Sequence, residues 1–471
     1  MRRCLMSVVG VALLAGLTLG ADPPAPPKPP EPKAAPVVTK ISGPYTHDNL
    51  SIFLLHGADT ISGRKFLTLN EALEQKKIVV IETSNVNTLA VENTSDDVEV
   101  FIQTGDIVKG GRQDRLMAFD MIVPPKSGKM PIPSFCVESG RWSQRGQESA
   151  AQFGENSRQG GKDLKLAANA PSAIPAGDGQ GGGISTARMV QGAQPGSQRE
   201  VWNKVKEAQM KLEKSVGKPV AGKASPTSYQ LTTEDKNLLE KLAKYEKELA
   251  GILKDKSDVI GIAYTINGQI EGAEVFACAE LCAKQWPKML KSCAVDALAD
   301  FDAKKKFDAP KEAQVKAFLK DATGPVKEVA QDNTVQLSAA RQAPLAPNPA
   351  PNSAGGQRQV LNPSAPPQQA AIADPKPAEP MKPAPVSILQ SDQQKTLMVE
   401  CRDKDAKGAV MHRSYMRKDE PKPPPPKQQA QPPNPHDLPR QQADPQRPNP
   451  PPNPNDQQKQ QQEPPKQQER R

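Results

Sequence analysis

The sequence predicts an α+β fold: mainly antiparallel β-sheet, sandwich or barrel-like, with three or four packed helices and long disordered Pro/Gln-rich segments outside it. Three observations predict it. Proline is segregated: of 50 prolines, eight lie in residues 22–36 and 29 in residues 342–471, so stretches that resist packing alternate with stretches able to bury a core. Between residues 49 and 136, Val, Ile, Leu and Phe gather in short runs ended by Asn, Gly or Pro, the punctuation of strands. From residue 199 to 301 apolar residues recur mainly at helical spacing, interrupted by one hairpin.

In chain order, residues 1–21 carry two arginines, an apolar run and small residues, the pattern of a secretory signal peptide. Export follows as the expected localisation (periplasm, cell envelope or exterior), with no membrane span in the mature chain. Residues 22–36 read as a stiff polyproline-like linker. The folded domain is expected over 37–337 plus 391–418. "NLSIFLLHG" reads as a strand, "TLNEALEQKK" as a short helix capped by Thr68, and "IVVIETS", "LAVEN", "DVEVFIQTGDIV" and "RLMAFDMIVPP" as further strands. The prolines of "PKSGKMPIPSFCVESGRW" point to an edge strand or irregular crossing. Residues 143–198, rich in Gly, Ser and Gln, read as a mobile loop with only "LKLAA" packed.

"REVWNKVKEAQMKLEKSV" predicts a helix with Val201, Val205, Ala208 and Leu212 inward. A second helix carries Leu238, Leu242, Tyr245, Leu249 and Ile252, with Thr232 and Asp235 as a capping box and the sheet as its expected packing partner. "DVIGIAYTINGQIEGAEVFA" predicts a hairpin turning at Asn267–Gly268. A third helix runs from about Ala279 to Phe301. Residues 338–390 read as a low-complexity insertion, after which "KTLMVECRDKDAKGAVMHRSYMRK" returns as two strands. A lone hairpin is barely stable in water, so these strands should join the main sheet. Residues 419–471 read as a disordered tail.

The net charge of +9 is interleaved with acids and lacks interspersed aromatics, so nucleic acid is not an expected partner. The basic tail is suited at most to weak contact with anionic envelope polymers. Five cysteines lie beyond the signal, Cys136, Cys278, Cys282, Cys293 and Cys401. They do not form a disulfide framework; they read as ordinary buried residues, with one bridge among the last four as the alternative. No metal or cofactor is called for: His47, His56, His412 and His436 lack ligand spacing, and no catalytic signature motif occurs.

The polar concentration lies in "GDIVKGGRQDR", Gly105 to Arg115. Its glycines are spaced as in a phosphate loop, but Gly111 and Arg112 stand where such a loop needs Lys and a hydroxyl, and it joins strands instead of opening a helix. The candidate binding residues are Gly110, Gly111, Arg112, Gln113, Asp114, Arg115, Arg141, Trp142 and His412. Adjacent glycines present backbone N–H groups, and arginine forks suit carboxylate or phosphate. Asp114 or Glu138 would be the general base if the site is catalytic. The alternative reading of the same residues is that Asp114 and the arginines pair with one another to hold the turn.

Four stretches, "FIQTGDIVKGGRQDR", "PPKSGKMPIPSFCVESGRW", "VFACAELCAKQWPKML" and "VMHRSYM", resemble the ADP-ribosylglycohydrolase and rhodanese-phosphatase-superfamily associated protein domain. The resemblance covers roughly residues 41–142, 199–301 and 395–416, and implies a domain named for its association with those enzymes, of unknown biochemical role. Three functions stand open. An exported domain binds a small anionic ligand or a partner through the turn surface; or it hydrolyses a ribosyl or phosphoryl substrate; or it is a non-catalytic structural protein of the envelope.

Overall fold

The computed structural model describes residues 35–85, 87–141, 143–169, 198–330 and 381–419. The stretch read as a signal peptide, nearly all of the proline linker, most of the low-complexity insertion, all but the first residue of the tail, and Trp142 and His436 lie outside the described residues.

β1 (Lys40–His47) and β2 (Leu50–His56) form an antiparallel hairpin. β3 (Phe66–Thr68) runs into α1 (Leu69–Glu74), capped by Thr68, whose hydroxyl accepts from Glu71 N while the Glu71 carboxylate accepts from Thr68 N. β4 (Ile78–Asn85) and β5 (Thr88–Asn93) follow. Two stretches that read as single strands each divide. The first gives β6 (Glu99–Ile102) and β7 (Ile107–Gly110), the second β8 (Arg115–Met117) and β9 (Met121–Val123). The first break falls at Gly105, whose φ of 87° no ordinary side chain adopts readily. The sequence turn "KGGRQD" thus joins β7 to β8, as expected.

β10 (Met130–Cys136) corrects the expectation of an edge strand, because it lies between β5 and β8. Pro131 and Pro133 sit opposite Ala90 and Thr88 of β5, while β8 engages only Ser134 to Cys136. On the side away from β5 the backbone of Pro133 has only to accept, from Ala118 N at 3.0 Å, so the missing N–H is not needed there. Residues 143–169 are also packed more than their composition suggests. They form β11 (Phe153–Gly154) and α2 (Lys162–Asn169), and bury Arg145, Arg158, Gln159, Lys162 and Lys165.

α3 (Gln198–Val216) buries Val201, Val205 and Leu212 as its spacing predicts. Thr232 is not the cap of the next long helix. It belongs to α4 (Tyr229–Thr233), capped by Ser228, and α5 (Lys236–Leu249) begins at Asp235, whose carboxylate accepts from Asn237 N and Leu238 N. The apolar stripe of α5 packs on α6 and β1. β12 (Val259–Ile266) and β13 (Gln269–Phe276) are joined at Asn267 and Gly268, with φ of 53° and 76°. α6 (Ala279–Ala299) is followed by α7 (Glu312–Ala322) and β14 (Lys327–Ala330), neither of which the sequence singled out. β15 (Val386–Asp392) starts inside the stretch read as low complexity, and β16 (Thr396–Asp403) and β17 (Ala409–Arg417) complete the chain of elements.

The strands form an eight-stranded sheet in the order β1-β2-β12-β13-β17-β16-β15-β14, a six-stranded sheet in the order β11-β7-β8-β10-β5-β4, and a three-stranded sheet β3-β6-β9. The architecture is α+β and mostly antiparallel; β3 and β6 run parallel. The six-stranded sheet nearly closes into a barrel, since Ile81 bridges Gln152 and Glu82 N donates to Ala151 O at 3.1 Å. The large sheet is covered on both faces. Leu50, Ile52 and Leu54 enter the main core, while Phe53 and Leu55 meet Val315 and Ala322 of α7. This double burial explains why β2 reads as an unbroken apolar run instead of alternating. All five described cysteines are buried and unbridged. No helix among the described residues is long and apolar enough to cross a membrane.

The close approach of β12 to β13 is tight at Gly261. A Cβ there would press into the Glu274 carbonyl oxygen and lie 3.0 Å from Val275 Cα, whereas a Cβ at Gly251 meets open space. Gly261→Ala is expected to destabilise by about 1–3 kcal/mol through overpacking and Gly251→Ala to be near neutral, as read from urea midpoints.

Candidate functional site

Two polar clusters draw on the stretch that the sequence singled out. The first surrounds its C-terminal half. Gly110 and Gly111 hold φ of 114° and 55°, which bends the chain so that Gly110 N donates to Asp114 Oδ1 at 3.0 Å. Arg145 grips Asp114 with both terminal nitrogens at 2.9 Å, and the Ser228 hydroxyl donates to it at 3.0 Å. Glu138 accepts from Arg141 Nε at 2.6 Å and from Asp114 N at 3.3 Å. Arg141 also donates to the carbonyls of Gly110 and Gly111, at 3.4 and 3.2 Å. Gln113 Nε2 donates to the Glu138 carbonyl at 2.9 Å.

Arg115 points elsewhere. It is wholly buried and donates to Gln113, to the Cys136 sulfur and, at 3.4 Å, to Glu82. Arg112 is partly exposed. Burial works to raise the Glu138 carboxyl, but bonds from Arg141 and Ser225 and the Arg141 charge outweigh it and hold it below the usual range. Burial likewise pushes the Cys136 thiol up to about 11, against the nearby Arg115 charge. Asp114, Glu138 and Arg141 thus converge, with Arg145, into a clamp whose charges satisfy one another.

His412 belongs to the second cluster, which lies deeper and uses the other half of the stretch. Lys288 of α6 meets Asp106 Oδ1 at 2.9 Å. Gln159 Nε2 donates to Asp106 at 3.0 Å and to Gln103 Oε1 at 2.7 Å. Lys165 of α2 donates to Gln159 Oε1 at 3.4 Å and to Glu274 Oε1 at 2.8 Å. Glu274 Oε2 lies 3.0 Å from His412 Nε2, and His412 Nδ1 lies 2.8 Å from Asp120 Oδ2. Asp120 is held in turn by Thr104 N at 2.7 Å.

Because both ring nitrogens face carboxylates, His412 is held as the imidazolium. Burial opposes that charge, but Asp120 and Glu274 prevail and raise its pKa to about 9. Glu274 is lowered to about 2: burial would raise it, and Lys165 and His412 overcome burial. The Phe276 ring stacks on the imidazole at 4.4 Å between centroids. The other two described histidines have separate surroundings, His47 beside Tyr245 and His56 between Ser42 and Asp258. Among the described residues no group of three or more His, Cys, Asp or Glu is placed to hold a metal ion.

Next to this network a cleft of about 90 Å³ opens between α2, α3 and α6, rimmed by β13 and β17. Lys162, Lys204, Lys211 and Arg417 enter it with six carboxylates, of which Asp296 of α6 is partly exposed. Asp296 and Lys162 also line a chamber of about 10 Å³ behind it, with Lys165, Glu274 and Cys293. That volume is near the least that can hold one water. Asp296 Oδ2 accepts from Lys162 N at 2.9 Å, and Gly161 has no side chain to displace its carboxylate. Burial raises Asp296 to about 7 and Asp163 and Asp300 add to the rise; Lys162 and its backbone N–H oppose it. Its place in the last turn of α6, at the negative end of the helix dipole, works in the same upward direction.

A family model matches residues 39–345 and is described as the ARG and Rhodanese-Phosphatase-superfamily-associated Protein domain. The chain belongs to this family. The match spans the GDIVKGGRQDR stretch, Glu138, Arg141 and Arg145, α2 and α6. It ends before β15, so "VMHRSYM" with His412 lies beyond it, although β17 pairs with β13 in the large sheet of the ARG and Rhodanese-Phosphatase-superfamily-associated Protein domain. No curated protein and no solved structure matches the chain at a significant level.

Of the residues singled out from sequence, Asp114, Glu138 and Arg141 meet in the clamp and His412 in the deeper network; Arg145, Lys165, Glu274, Lys288 and Asp296 gave no such signal on their own. Arg145 lay in a stretch read as loop. The signal for α6 was present: Gln285, Lys288, Ser292 and Asp296 recur at intervals of three and four on a helix whose opposite face is apolar.

Removing the Arg145 guanidinium leaves Asp114 and Glu138 short of charge in the interior. Arg145→Met is expected to cost about 3–5 kcal/mol in chemical denaturation. The buried network sets a pH window as well. His412 is raised from 6.5 to about 9 in the fold, so its contribution, on the order of 3 kcal/mol, is complete below pH 6.5 and gone above 9. Glu274 is lowered from 4.5 to about 2, so its share is complete above pH 4.5 and lost on acidification through 2. Denaturation midpoints should fall on both sides, and His412→Gln should flatten the alkaline limb.

Proposed function

We propose that this domain binds a small polar molecule in the cleft over Asp296, and that the GDIVKGGRQDR turn serves as a clamp holding the scaffold, without contacting the ligand. The observation that carries this reading is the contrast between the two charged regions. Around Asp114 the charges are buried and mutually bonded, whereas the cleft gathers charged side chains from α2, α3, α6, β13 and β17 around open volume. Concave sites between packed elements, where polar groups converge, are a usual place for small ligands. A carboxyl placed near neutrality on the floor supports a functional role as well.

Hydrolysis with Asp114 or Glu138 as base finds less support, since a base needs an oxygen open to substrate and these oxygens are occupied by Arg141, Arg145 and Ser228. Export is part of the proposal and rests on the pattern of residues 1–21.

A thermal-shift screen of small charged and zwitterionic metabolites tests the reading. A ligand at a hundredfold excess over its Kd stabilises by about 2.7 kcal/mol. The shift should change in Lys204→Ala combined with Lys211→Ala, which alters the charge of the cleft, and be unaffected in Arg112→Ala. A shift abolished by Arg112→Ala and kept by the cleft variant would return the site to the turn.

A further inference from the structure

The charge inventory of the cleft says which small molecule it suits. Every cation in it already has a carboxylate. Lys162 lies 2.7 Å from Glu271, 3.0 Å from Asp419 and 3.3 Å from Asp163. Lys204 pairs with Glu207 at 3.1 Å, Lys211 with Asp300 at 3.2 Å, and Arg417 with Glu271 at 2.7 Å. An incoming anion would have to break one of these pairs and would still face six carboxylates at close range. Asp296 is the exception among the acids: its carboxylate is held by a backbone N–H and, among the described residues, by no ammonium or guanidinium in hydrogen-bond contact.

We propose that the ligand of this cleft carries a primary ammonium group, and that Asp296 is its counter-ion. This rests on the cleft reading above and differs from the expectation drawn from the sequence, which placed a small anionic ligand at the turn. An ammonium has three donors, and the cleft surrounds the Asp296 carboxylate with further acceptors in Asp163, Glu271 and Asp300.

The groups around Asp296 set its response to pH. On its own helix and at its C-cap these are Cys293 and Asp300. α2 adds Lys162, Asp163 and Lys165, and α3 adds Lys204, Glu207 and Lys211. Tyr229 faces it from α4 and Tyr264 from β12. Glu271 and Glu274 approach from β13, and Arg417 and Asp419 from the end of the chain of elements. Burial, with Asp163 and Asp300 adding to it and Lys162 and its backbone N–H opposing it, holds Asp296 near neutrality instead of in the usual carboxylate range. A cation binds only the ionised form. Binding below neutrality therefore expels the Asp296 proton to solvent, and affinity rises with pH until the group is fully ionised.

The experiment uses the full-length protein and three probes in isothermal titration: 1,4-diaminobutane, the neutral isostere 1,4-butanediol, and inorganic phosphate. The diamine is expected to bind, the diol and phosphate not. Titrations in two buffers of different ionisation enthalpy at about pH 6.5 should reveal release of about three-quarters of a proton, and affinity should rise about tenfold from pH 6 to 8. Asp296→Asn keeps the acceptor for Lys162 N; it should abolish proton release and weaken binding at least about tenfold. Asp300→Asn, at the rim, should weaken binding by only about two- to fivefold and keep the release. Melting curves of both variants verify folding. Equal binding of diamine and diol, or unchanged affinity in folded Asp296→Asn, overturns the ammonium assignment. Phosphate binding lost in Lys204→Ala with Lys211→Ala overturns the ammonium assignment while keeping the cleft as the site. No binding of any probe, and no effect of cleft variants on the metabolite shifts, overturns both.

Discussion

The His412 imidazolium between Asp120 and Glu274 is the interaction on which the rest of the molecule depends. It stands where the elements meet: β17 and β13 of the large sheet supply His412 and Glu274, and the link between β8 and β9 supplies Asp120. α2 adds Lys165, and α6 adds Lys288 through Asp106. Charges taken out of water are costly singly and tolerable only when each has its partner in place. The consequence is directional. The two larger sheets and the two helices are held in one relative placement, because any other leaves an ion unpaired in the interior.

That constraint also explains why an apolar core of ordinary kind coexists with so many buried ions. Leu50, Ile52, Leu54 and their neighbours supply non-directional burial. The ions supply registry, and the clamp of Arg145 on Asp114 does the same at the C-terminal end of the GDIVKGGRQDR stretch. Gln103, Thr104 and Asp106 turn inward to the His412 network, while Gly110 to Arg115 build the clamp, so one short segment ties two polar clusters together. In the cleft this scheme is incomplete: among the described residues Asp296 has no cationic partner in contact, and the cavity beside it is open.

Local patterning carried most of the secondary structure into view. The Thr68 cap, the Asn267–Gly268 turn and the inward stripes of α3 and α5 depend on residues within a few positions of one another, so they are readable without a fold. Where the reading failed, a distant partner had decided the matter. β10 is central despite its prolines because β5 and β8 divide its length between them. Residues 143–169 pack despite their composition because Asp114, Glu274 and Asp296 receive Arg145, Lys165 and the backbone of Lys162.

By itself the sequence determined the α+β class, the family, most of the strands and helices, and the charged turn as a feature of note, since each follows from periodicity, turn chemistry or a contiguous motif. Only the tertiary structure decided that the charges of Asp114, Glu138 and Arg141 meet each other, that His412 joins Asp120 and Glu274, and that Asp296 stands at an open cleft. The physical reason is that the effect of an ionisable side chain is set by what faces it. His412 and Asp120 are separated by 292 positions in the chain and by 2.8 Å in the fold.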